Sequence, residues 1–271
     1  MLHAVSLLSH RSRITKFRRA MEEVVTERSL VVDLGTGSGV LAMMAARMGA
    51  RRVIAVDVEA ESIRYAQLAA RRNGLESRIE FVVCHFEDFV PDEPADIVVC
   101  EMLDSALLVE QQVPAVRHSL RRVLRRGGVM LPRWASVYMV PVSCAQLWER
   151  FHVDGLEFPP VPQTIDRGIS VDLADLQQVL TIDFNSSEIP TVVDAVLDFR
   201  IVQEGLCHGL LALLEAGLSH DIRLQMEDGW RELLLPFSRP CHLYPGQHLK
   251  VYIRYVPGDV SSLNLDYELA D

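Results

Sequence analysis

The sequence predicts an α/β domain built on a parallel sheet, followed by an antiparallel β domain. From Ser29 to about Pro132, short apolar runs alternate with segments of helical periodicity. Such runs are typical of strands whose two faces are both covered, and the intervening helices supply the cover. After Pro132 the apolar residues recur at every second position, which predicts strands with one buried face. We therefore place the first domain at residues 1–132 and the second at residues 133–271.

The first domain reads as alternating strands and helices after a short N-terminal helix. LVVDLG predicts a strand, and GVLAMMAARMG predicts a helix ended by Gly49. RRVIAVD and AESIRYAQLAARRNG repeat this pair, with Gly74 as the stop. RIEFVV and ADIVVCE predict two further strands. VPAVRHSLRRVLRRGG predicts a last helix that runs to Gly127, with a solvated basic face formed by Arg117, Arg121, Arg122, Arg125 and Arg126.

The second domain alternates with a period of two. HLKVYIRYV places Leu249, Val251, Ile253 and Tyr255 on one face. SLNLDYELA and DAVLDFRIV alternate in the same way, and YPGQ predicts a turn between strands. These patterns predict an antiparallel barrel or sandwich. The Pro-rich stretch FHVDGLEFPPVPQTIDRG predicts an exposed connection between the two halves.

Composition excludes several classes of function. The chain has 271 residues, a net charge of −10 and 49% hydrophobic residues, which suits a soluble globular protein. The acidic balance argues against a nucleic-acid partner, and no apolar run reaches the roughly 20 residues that span a bilayer. The start, MLHAVSLLSHRSRITK, does not have the pattern of a signal peptide. Five scattered cysteines favour a reducing compartment, so we expect a cytoplasmic protein, and their spacing supports no metal site.

The stretch VVDLGTGSG carries the first binding motif. It ends a strand with Asp33 and opens a helix, and Gly35, Gly37 and Gly39 let a ligand approach the main chain. Asp57 ends the next strand, where a carboxylate can accept hydrogen bonds from both hydroxyls of a ribose. A dinucleotide fingerprint would have glycine or alanine at the position of Val40. The loop instead resembles the first motif of class I S-adenosylmethionine-dependent methyltransferases.

Two acids in an apolar stretch carry the second motif. Glu101 and Glu110 belong to CEMLDSALLVEQQ, which follows the fourth predicted strand. One reading is structural, in which one acid ends the strand and the other leads into the next helix. Acids in apolar surroundings more often have a function. From about Ser9 to Leu269 the chain resembles the protein arginine methyltransferases, in which two glutamates at this spacing lie on a hairpin loop and clamp the substrate guanidinium.

The resemblance assigns further residues. It implies a Rossmann-like class I methyltransferase domain followed by a C-terminal antiparallel β-barrel, which LPRWASVYMVPV would enter. Arg13 takes the place of an arginine that holds the cofactor carboxylate, and Asp57 that of a ribose-binding glutamate. Glu87 corresponds to a glutamate that contacts the adenine amino group, beside the backbone of Phe86. Trp230 matches the tryptophan of a Thr-His-Trp loop.

Three departures from the family pattern concern the substrate. MLHAVSLLSH has no counterpart of the family's tyrosine-bearing N-terminal helix. Asp228-Gly229-Trp230 lacks the histidine of Thr-His-Trp. Met102 and Asp104 stand in a stretch where the family has Trp-Met-Gly-Tyr, so aromatic walls are lost and an acid is added. We therefore assign Met102, Asp104 and Trp230 to the substrate pocket. The family's dimerisation arm would fall within residues 151–178, which are short and Pro-rich, so a homodimer is left open.

These observations predict an N-methyltransferase that uses S-adenosylmethionine, yields S-adenosylhomocysteine and acts on a guanidinium. The acceptor would be an arginine-containing protein, a peptide or a small guanidino compound. Glu101 and Glu110 would hold it bidentately, since a guanidinium is a planar fork of donors. One alternative is a small-molecule N- or O-methyltransferase for another nucleophile. The other is a degenerate, non-catalytic family member that serves as a binding partner.

Overall fold

The computed structural model describes residues 6–166 and 168–270, so the expectations drawn from Met1–Val5 lie outside the described residues. The helices are α1 (Arg11–Glu22), α2 (Val40–Arg47), α3 (Ala60–Arg72), α4 (Gln112–His118) and α5 (Ala145–Trp148), with 3-10 turns at Ser6–Ser9, Glu76–Arg78, Phe86–Asp88, Glu149–Phe151 and Met226–Asp228 and a π-helical turn at Ser119–Val123. The strands are β1 (Leu30–Leu34), β2 (Arg52–Asp57), β3 (Ile79–Val83), β4 (Ala95–Cys100), β5 (Leu124–Leu131), β6 (Trp134–Ser143), β7 (His152–Val153), β8 (Leu156–Glu157), β9 (Gln163–Ile165), β10 (Val171–Asp172), β11 (Gln177–Asp183), β12 (Val193–Arg200), β13 (Gly205–Gly217), β14 (Arg223–Leu224), β15 (Glu232–Leu243), β16 (His248–Val256) and β17 (Asp259–Ala270).

The first half forms a five-stranded parallel sheet in the order β3-β2-β1-β4-β5. Every residue of β1 is buried, as the continuous apolar run predicts. The chain adds strands outward from β1 on one side and then returns to place β4 on the other side. In such a doubly wound sheet, ligands bind beyond the carboxyl ends of the two strands at this switch point. The loops that follow β1 and β4 carry the two predicted motifs.

Helix α1 buries one stripe against this domain. Its buried residues are Arg13, Phe17, Ala20 and Met21, which recur at intervals of three and four and so share one helix face. An arginine within an apolar stripe is unusual, because burial of a charge is unfavourable without a partner. The stripe therefore aims Arg13 at the interior, toward the edge of the sheet where β1 and β4 end.

The predicted helix from Val113 to Gly127 is too long. Helix α4 ends at His118, the π-helical turn ends at Val123, and Arg125 and Arg126 lie on β5 instead of a helix face. The reason is pairing with β4, in which Ala95 faces Leu124 and Ile97 faces Val129, so the residues between them bulge outward. Arg125 Nε donates to Asp96 Oδ1 (2.6 Å) in this bulge. Residues 124–127 therefore lie in strand β5 despite their helical sequence pattern, because β5 pairs with β4.

The second half is antiparallel, as predicted, but its strands form a half-barrel and not a closed barrel. A seven-stranded sheet contains β10-β6-β13-β15-β9 with β11 paired to β6 and β14 paired to β13. A separate three-stranded sheet contains β12-β16-β17. The predicted face of β16 is confirmed, because Leu249, Val251, Ile253 and Tyr255 are each at most 1% exposed.

The Pro-rich connection is largely exposed, as expected, although part of it is ordered as a hairpin. His152 pairs with Glu157 and Val153 with Leu156. Leu156 and Phe158 expose 63% and 52% of their surface. In the part of the chain that the structure describes, no helix is both long and apolar enough to cross a membrane. Within the same residues, no group of His, Cys, Asp and Glu is arranged to hold a metal ion.

Candidate active site

A cavity of about 510 Å³ lies where the loops after β1 and β4 meet the second half of the chain. It brings together most of the residues that the sequence singled out. Gly39 and Glu87 do not line it, and neither does any other part of the 3-10 turn beyond Phe86. The predicted residues in the wall are Arg13, Asp33, Gly35, Gly37, Asp57, Phe86, Glu101, Met102, Asp104, Glu110 and Trp230.

The glycine loop has the backbone that only glycine adopts easily. Gly35, Gly37 and Gly39 have φ angles of +70°, +52° and +77°. Gly35 and Thr36 both donate their amides to the carbonyl of Val56 (2.9 Å each), which ties the loop to β2. Gly39 allows close packing of α2 on α3, because a Cβ there would lie 2.8 Å from Ala66 Cβ, and its role at the cofactor stays a prediction.

The side chain of Asp33 stabilises the glycine loop through hydrogen bonds. Its Oδ2 accepts hydrogen bonds from Thr36 Oγ1 (2.6 Å) and from the amide of Ala42 (3.0 Å). Burial raises its pKa to about 6, although these two hydrogen bonds oppose the shift. The carboxyl group thus joins the end of β1, the loop and the first turn of α2.

Asp57 stands at the mouth of the glycine loop, as predicted. Its Oδ2 accepts from the amide of Gly37 (2.8 Å) and its Oδ1 accepts from the amide of Glu59 (2.9 Å). Each carboxylate oxygen has a second lone pair, so both can still accept a hydroxyl. Ser38 Oγ, in the same loop, is buried and has no hydrogen-bond partner. This buried polar atom and the two open acceptors fit a polar ligand with vicinal hydroxyls.

The far end of the cavity is lined by Cys84, His85 and Phe86. Phe86 is 8% exposed and its ring lies 4.4 Å from the ring of His85. The Glu87 side chain is 66% exposed, and its carboxylate lies 3.8 Å from His85 Nδ1. Glu87 does not line the cavity, and its predicted role at an adenine stays a prediction.

Arg13 reaches the centre of the site from α1. Its Nη1 donates to Glu101 Oε1 (3.2 Å), and its Nε donates to the carbonyl of Asp228 (3.2 Å). The guanidinium lies over the ring of Trp230, 3.5 Å from the ring centroid. Burial lowers the pKa of Arg13, while Glu101 and Asp228 oppose that shift. The arginine is held in place by an acid, a carbonyl and an aromatic face.

Glu101 follows β4 and is nearly buried, with 12% of its side chain exposed. Burial raises its pKa to about 7; Arg13 counters this effect and the negative charge of Glu110 adds to it. Glu101 and Glu110 both line the cavity, and the charge of Glu110 acts on Glu101. A raised pKa and a specific charge partner in a cleft make Glu101 a candidate functional carboxylate.

Asp104 lines the cavity, and its carboxylate also organises the loop after β4. Its Oδ1 accepts from the amides of Ala106 (2.9 Å) and Leu108 (3.2 Å). Its Oδ2 accepts from the amides of Val109 and Glu110 (2.9 Å each). Four amide donors bind this carboxylate, so it shapes the loop that presents Glu110, and its contact with a substrate stays a prediction.

Residues of the second half of the chain form hydrogen bonds with the loop after β4. Trp230 Nε1 donates to the carbonyl of Leu103 (3.0 Å), and Tyr255 Oη donates to the carbonyl of Ala106 (2.7 Å). The amide of Gly258 donates to the carbonyl of Leu107 (3.2 Å). Trp230, assigned to the substrate pocket, therefore also fixes the loop that carries the two glutamates.

The start of the loop is fixed by two further contacts. Gln112 Oε1 accepts from the amide of Met102 (2.9 Å). Met102 covers the glycine loop so closely that a Cβ on Gly35 would lie 2.8 Å from its sulfur. The thioether thus takes the place of the aromatic wall expected from the resemblance and joins the two halves of the cavity.

The segment Asp228-Gly229-Trp230 is tied to α1. Asp228 accepts from Ser12 Oγ and from Lys16 Nζ (2.6 Å), and also from the amide of Gln225 (2.8 Å). Burial opposes ionisation of Asp228, but the hydrogen bonds from Lys16 and Ser12 outweigh it and lower its pKa. The sequence did not identify several wall residues, because each reaches the cavity only through tertiary packing: His10, His85, Gln111, Thr164 and Arg231.

Known proteins share parts of this sequence. Residues 17–131 match the family model described as ribosomal protein L11 methyltransferase (PrmA). A probable protein arginine N-methyltransferase 6 of Arabidopsis thaliana is 32% identical over 139 residues, which cover 51% of this chain and 32% of that protein. An uncharacterized protein of Methanocaldococcus jannaschii is 38% identical over 160 residues, covering 59% of this chain and 61% of that protein. The chain thus spans about a third to three fifths of these curated relatives.

Two further comparisons extend over more of the chain. The histone-arginine methyltransferase CARMER of Drosophila ananassae is 25% identical over 224 residues, covering 73% of this chain and 41% of that protein. Among solved structures, the Trypanosoma brucei PRMT1 enzyme–prozyme heterotetrameric complex with AdoHcy contains a chain that superposes with a TM-score of 0.76. It is 21% identical, and the superposition covers 98% of this chain and 96% of that chain. The two-part fold is therefore shared over nearly the whole length.

Proposed function

We propose that this chain, which is similar in sequence to protein arginine methyltransferases and shares their two-part fold, methylates a guanidinium nitrogen with S-adenosylmethionine. The observation that carries the proposal is that Glu101 and Glu110 line the same cavity as the glycine loop and Asp57. The acceptor would be an arginine-containing protein, a peptide or a small guanidino compound.

The cofactor part of the cavity fits S-adenosylmethionine. Asp57 would accept the two ribose hydroxyls, and the left-handed glycines would let the nucleoside approach the main chain. Phe86 would pack on the adenine. Arg13 would bind the carboxylate of the amino-acid part with the guanidinium nitrogen that Glu101 and Asp228 leave available. S-adenosylmethionine, when bound, supplies a methyl group on a positively charged sulfur, which is a good leaving group.

The two glutamates would hold the acceptor. A guanidinium stays protonated at neutral pH and presents a planar set of donors that matches carboxylates. Glu101 and Glu110 together would fix its orientation and draw positive charge toward the bound nitrogens, which leaves the reacting nitrogen more electron-rich. Entry of the cation would also favour the ionised form of Glu101, whose pKa is raised to about 7 in the free protein. Positioning of this kind can supply a large part of a rate enhancement.

The test measures transfer of labelled methyl groups to free arginine, guanidino metabolites and arginine-rich peptides. Glu101→Gln and Glu110→Gln keep the shape of each side chain and remove its charge. We expect each to lower the rate by about 100-fold or more, since each removes one arm of the clamp. Binding of S-adenosylhomocysteine, measured by calorimetry, should stay within about threefold of the unaltered chain.

Glu188→Gln is the matched control, because Glu188 is exposed on a turn remote from the cavity. Its rate should equal that of the unaltered chain. If both cavity variants transfer methyl groups at nearly normal rates to an oxygen or another amine, the small-molecule methyltransferase is the better reading. If S-adenosylhomocysteine does not bind at all, the non-catalytic reading is favoured.

A homodimer is a further part of the proposal. The exposed apolar residues Val153, Leu156, Phe158 and Val161 in the Pro-rich connection support it, because such a cluster is unusual on an isolated protein. The relative of known structure comes from a heterotetrameric complex. Sedimentation analysis of the chain and of Leu156→Asp tests the idea, and a monomer in both cases would contradict it.

A further inference from the structure

Position 229 lacks a side chain, and His10 fills the space that a side chain there would take. A Cβ built on Gly229 would lie 2.0 Å from His10 Nδ1 and 2.6 Å from its Cγ and Cε1. Gly229 has a φ of +106°, so its backbone also disfavours any other residue. The imidazole of His10 thus enters the loop Asp228-Gly229-Trp230 from a different element, the N-cap of α1.

The backbone of His10 is fixed while its ring remains available to the cavity. Its amide donates to the carbonyl of Leu7 (2.9 Å), and its carbonyl accepts from the amide of Ile14 (3.1 Å). Although His10 is the N-cap of α1, its side chain makes no capping hydrogen bond. The ring is half-buried and lines the same cavity as Arg13, Glu101 and Glu110. A histidine at an N-cap that does not cap is placed there by something other than helix stability.

The charges around His10 favour its neutral form. Burial lowers its pKa, and the positive charge of Arg13 lowers it further. A neutral imidazole keeps one ring nitrogen with a lone pair, so it can accept a proton. The titratable or charged side chains at this end of the cavity are Arg13 on α1, Glu101, Asp104 and Glu110 after β4, and Asp228 and Arg231 before β15.

Several of these acids are already engaged as acceptors. Asp104 accepts from four amides, and Asp228 accepts from Ser12, Lys16 and Gln225. Glu101 accepts from Arg13, and the proposed function needs both glutamates to remain negative while they hold a cation. A glutamate that took the proton would give up the charge that holds the product. An acceptor distinct from the clamp avoids this conflict.

Resting on the proposed guanidinium methylation, we propose that His10 is the proton acceptor of this site. The guanidinium nitrogen forms its bond to the methyl carbon, the carbon–sulfur bond breaks with its electron pair left on sulfur, and the N–H proton of that nitrogen passes to the ring nitrogen of His10. The product keeps one positive charge, and the imidazolium carries the other. The ring then releases its proton to water at the half-exposed side, helped by repulsion from Arg13.

The experiment compares His10→Ala and His10→Gln with the unaltered full-length chain, using an acceptor found in the methylation assay. We expect kcat to fall about 100-fold or more in both, as for the loss of a general base. Affinity for S-adenosylhomocysteine should change by less than about threefold. Added imidazole should restore part of the rate of His10→Ala, and more basic substituted imidazoles should restore more of it. His220→Ala is the matched control, because the His220 side chain is 96% exposed on a distant turn.

Three results would overturn the inference. One is a kcat for His10→Ala within about threefold of normal. Another is a low kcat that no imidazole raises at any pH between about 6 and 9, which would make His10 a space-filling residue. The last is a His10 pKa above about 7.5, measured by NMR titration of the free chain, since the ring would then be protonated before the reaction. An unaltered chain that methylates no guanidinium would refute the proposed function, and the role of His10 with it.

Discussion

Arg13 favours the ionised form of Glu101 in the folded chain. The carboxyl group is nearly buried, and Arg13 is the cation that the structure places against it, at 3.2 Å. A buried carboxylate is unfavourable because it loses hydration, and this loss raises its pKa to about 7. The buried carboxylate of Glu101 lowers the stability of the fold, and it lies where a second guanidinium is proposed to bind. Such a cost in stability is common at functional sites.

This raised pKa predicts how stability depends on pH. The pKa values of Glu101 and Asp33 lie at about 7 and about 6 in the folded chain, against ordinary values of 4.5 and 3.8. Between about pH 4 and pH 7 the folded chain therefore holds protons that the unfolded chain has released. The free energy of unfolding should fall as pH rises through that window. Urea titrations at about pH 5 and pH 8 measure the fall.

The variant Glu101→Gln isolates the contribution of one carboxyl group. Its free energy of unfolding should fall less between about pH 5 and pH 8, by on the order of 2 kcal/mol, because a shift of one pKa unit corresponds to about 1.4 kcal/mol. The decrease that remains is due to Asp33 and other groups. Glu188→Gln should keep the full decrease. An unchanged slope in Glu101→Gln would mean that Glu101 ionises normally.

At the scale of single residues, sequence reasoning identified most of the acids that line the cavity but not the hydrogen bonds that hold them. The spacing of Glu101 and Glu110 follows from a local loop, so it can be read from the chain. The contact between His10 and Gly229 joins the two ends of the sequence, and no local pattern signals it. Asp104 was predicted as a pocket acid, but its four hydrogen bonds to loop amides were not predicted, because they depend on the path of the loop.

At the scale of elements, the loop between β4 and α4 is a preorganised structure. Asp104 accepts from amides along residues 106–110, and Gln112 holds the amide of Met102. Such a network fixes the backbone before a ligand arrives, which reduces the entropy lost on binding. The position of Glu110 therefore depends on hydrogen bonds to the side chain of Asp104.

Replacement of Asp104 by Asn tests this dependence. One acceptor oxygen becomes an NH₂ group that faces two amide donors, so the loop should loosen around Glu110. We expect kcat/KM for the methyl acceptor to fall about 10- to 100-fold while the Kd of S-adenosylhomocysteine changes less than about threefold. Calorimetry and the methylation assay measure the two quantities.

Asp183→Asn is the matched control for Asp104→Asn. Asp183 accepts from the amide of Asn185 (2.9 Å) at the end of β11 and so has a similar local role away from the cavity. Its kcat/KM should remain normal. Equal effects of Asp104→Asn on cofactor and acceptor would show that Asp104 supports the whole cavity and not this loop alone.

Element boundaries also show where sequence patterns stop being informative. Four of the five strands of the parallel sheet, β1 to β4, were placed well, because their apolar runs are bounded by glycines and charged residues. The helix after Glu110 was predicted too long, since Leu124–Leu131 has arginines and glycines that suit several conformations. Pairing of β5 with β4 decides between them, and that pairing depends on a distant strand.

At the scale of the whole molecule, the two halves build the site together. The first half supplies the glycine loop and both glutamates, and the second half supplies Trp230 and Tyr255, which bind the loop backbone. The order of parallel and antiparallel parts was predicted from periodicity. The second half, for which a barrel was expected from the resemblance, forms a half-barrel. Periodicity reports which face of a strand is buried and does not report which strands pair across a gap.

Tyr255→Phe tests the coupling between the halves. Its hydroxyl donates to the buried carbonyl of Ala106 (2.7 Å), and the variant leaves that carbonyl without this donor. We expect the free energy of unfolding to fall by about 1–3 kcal/mol and kcat/KM to fall with it, because the loop loses an anchor. Tyr244→Phe, at a position that is 50% exposed, should change neither quantity. Loss of stability with normal kcat/KM would show that the loop keeps its shape without Tyr255.

The anchors from the second half decide whether the glutamate loop can be transplanted. A protein engineer who moved only Cys100–Gln112 onto another parallel-sheet protein would carry the acids and Asp104 but leave behind Trp230, Tyr255 and Gly258, whose hydrogen bonds hold three of the loop's carbonyls. The graft would then have the right sequence and a different geometry. The smallest portable unit is the loop together with the segments that contact it.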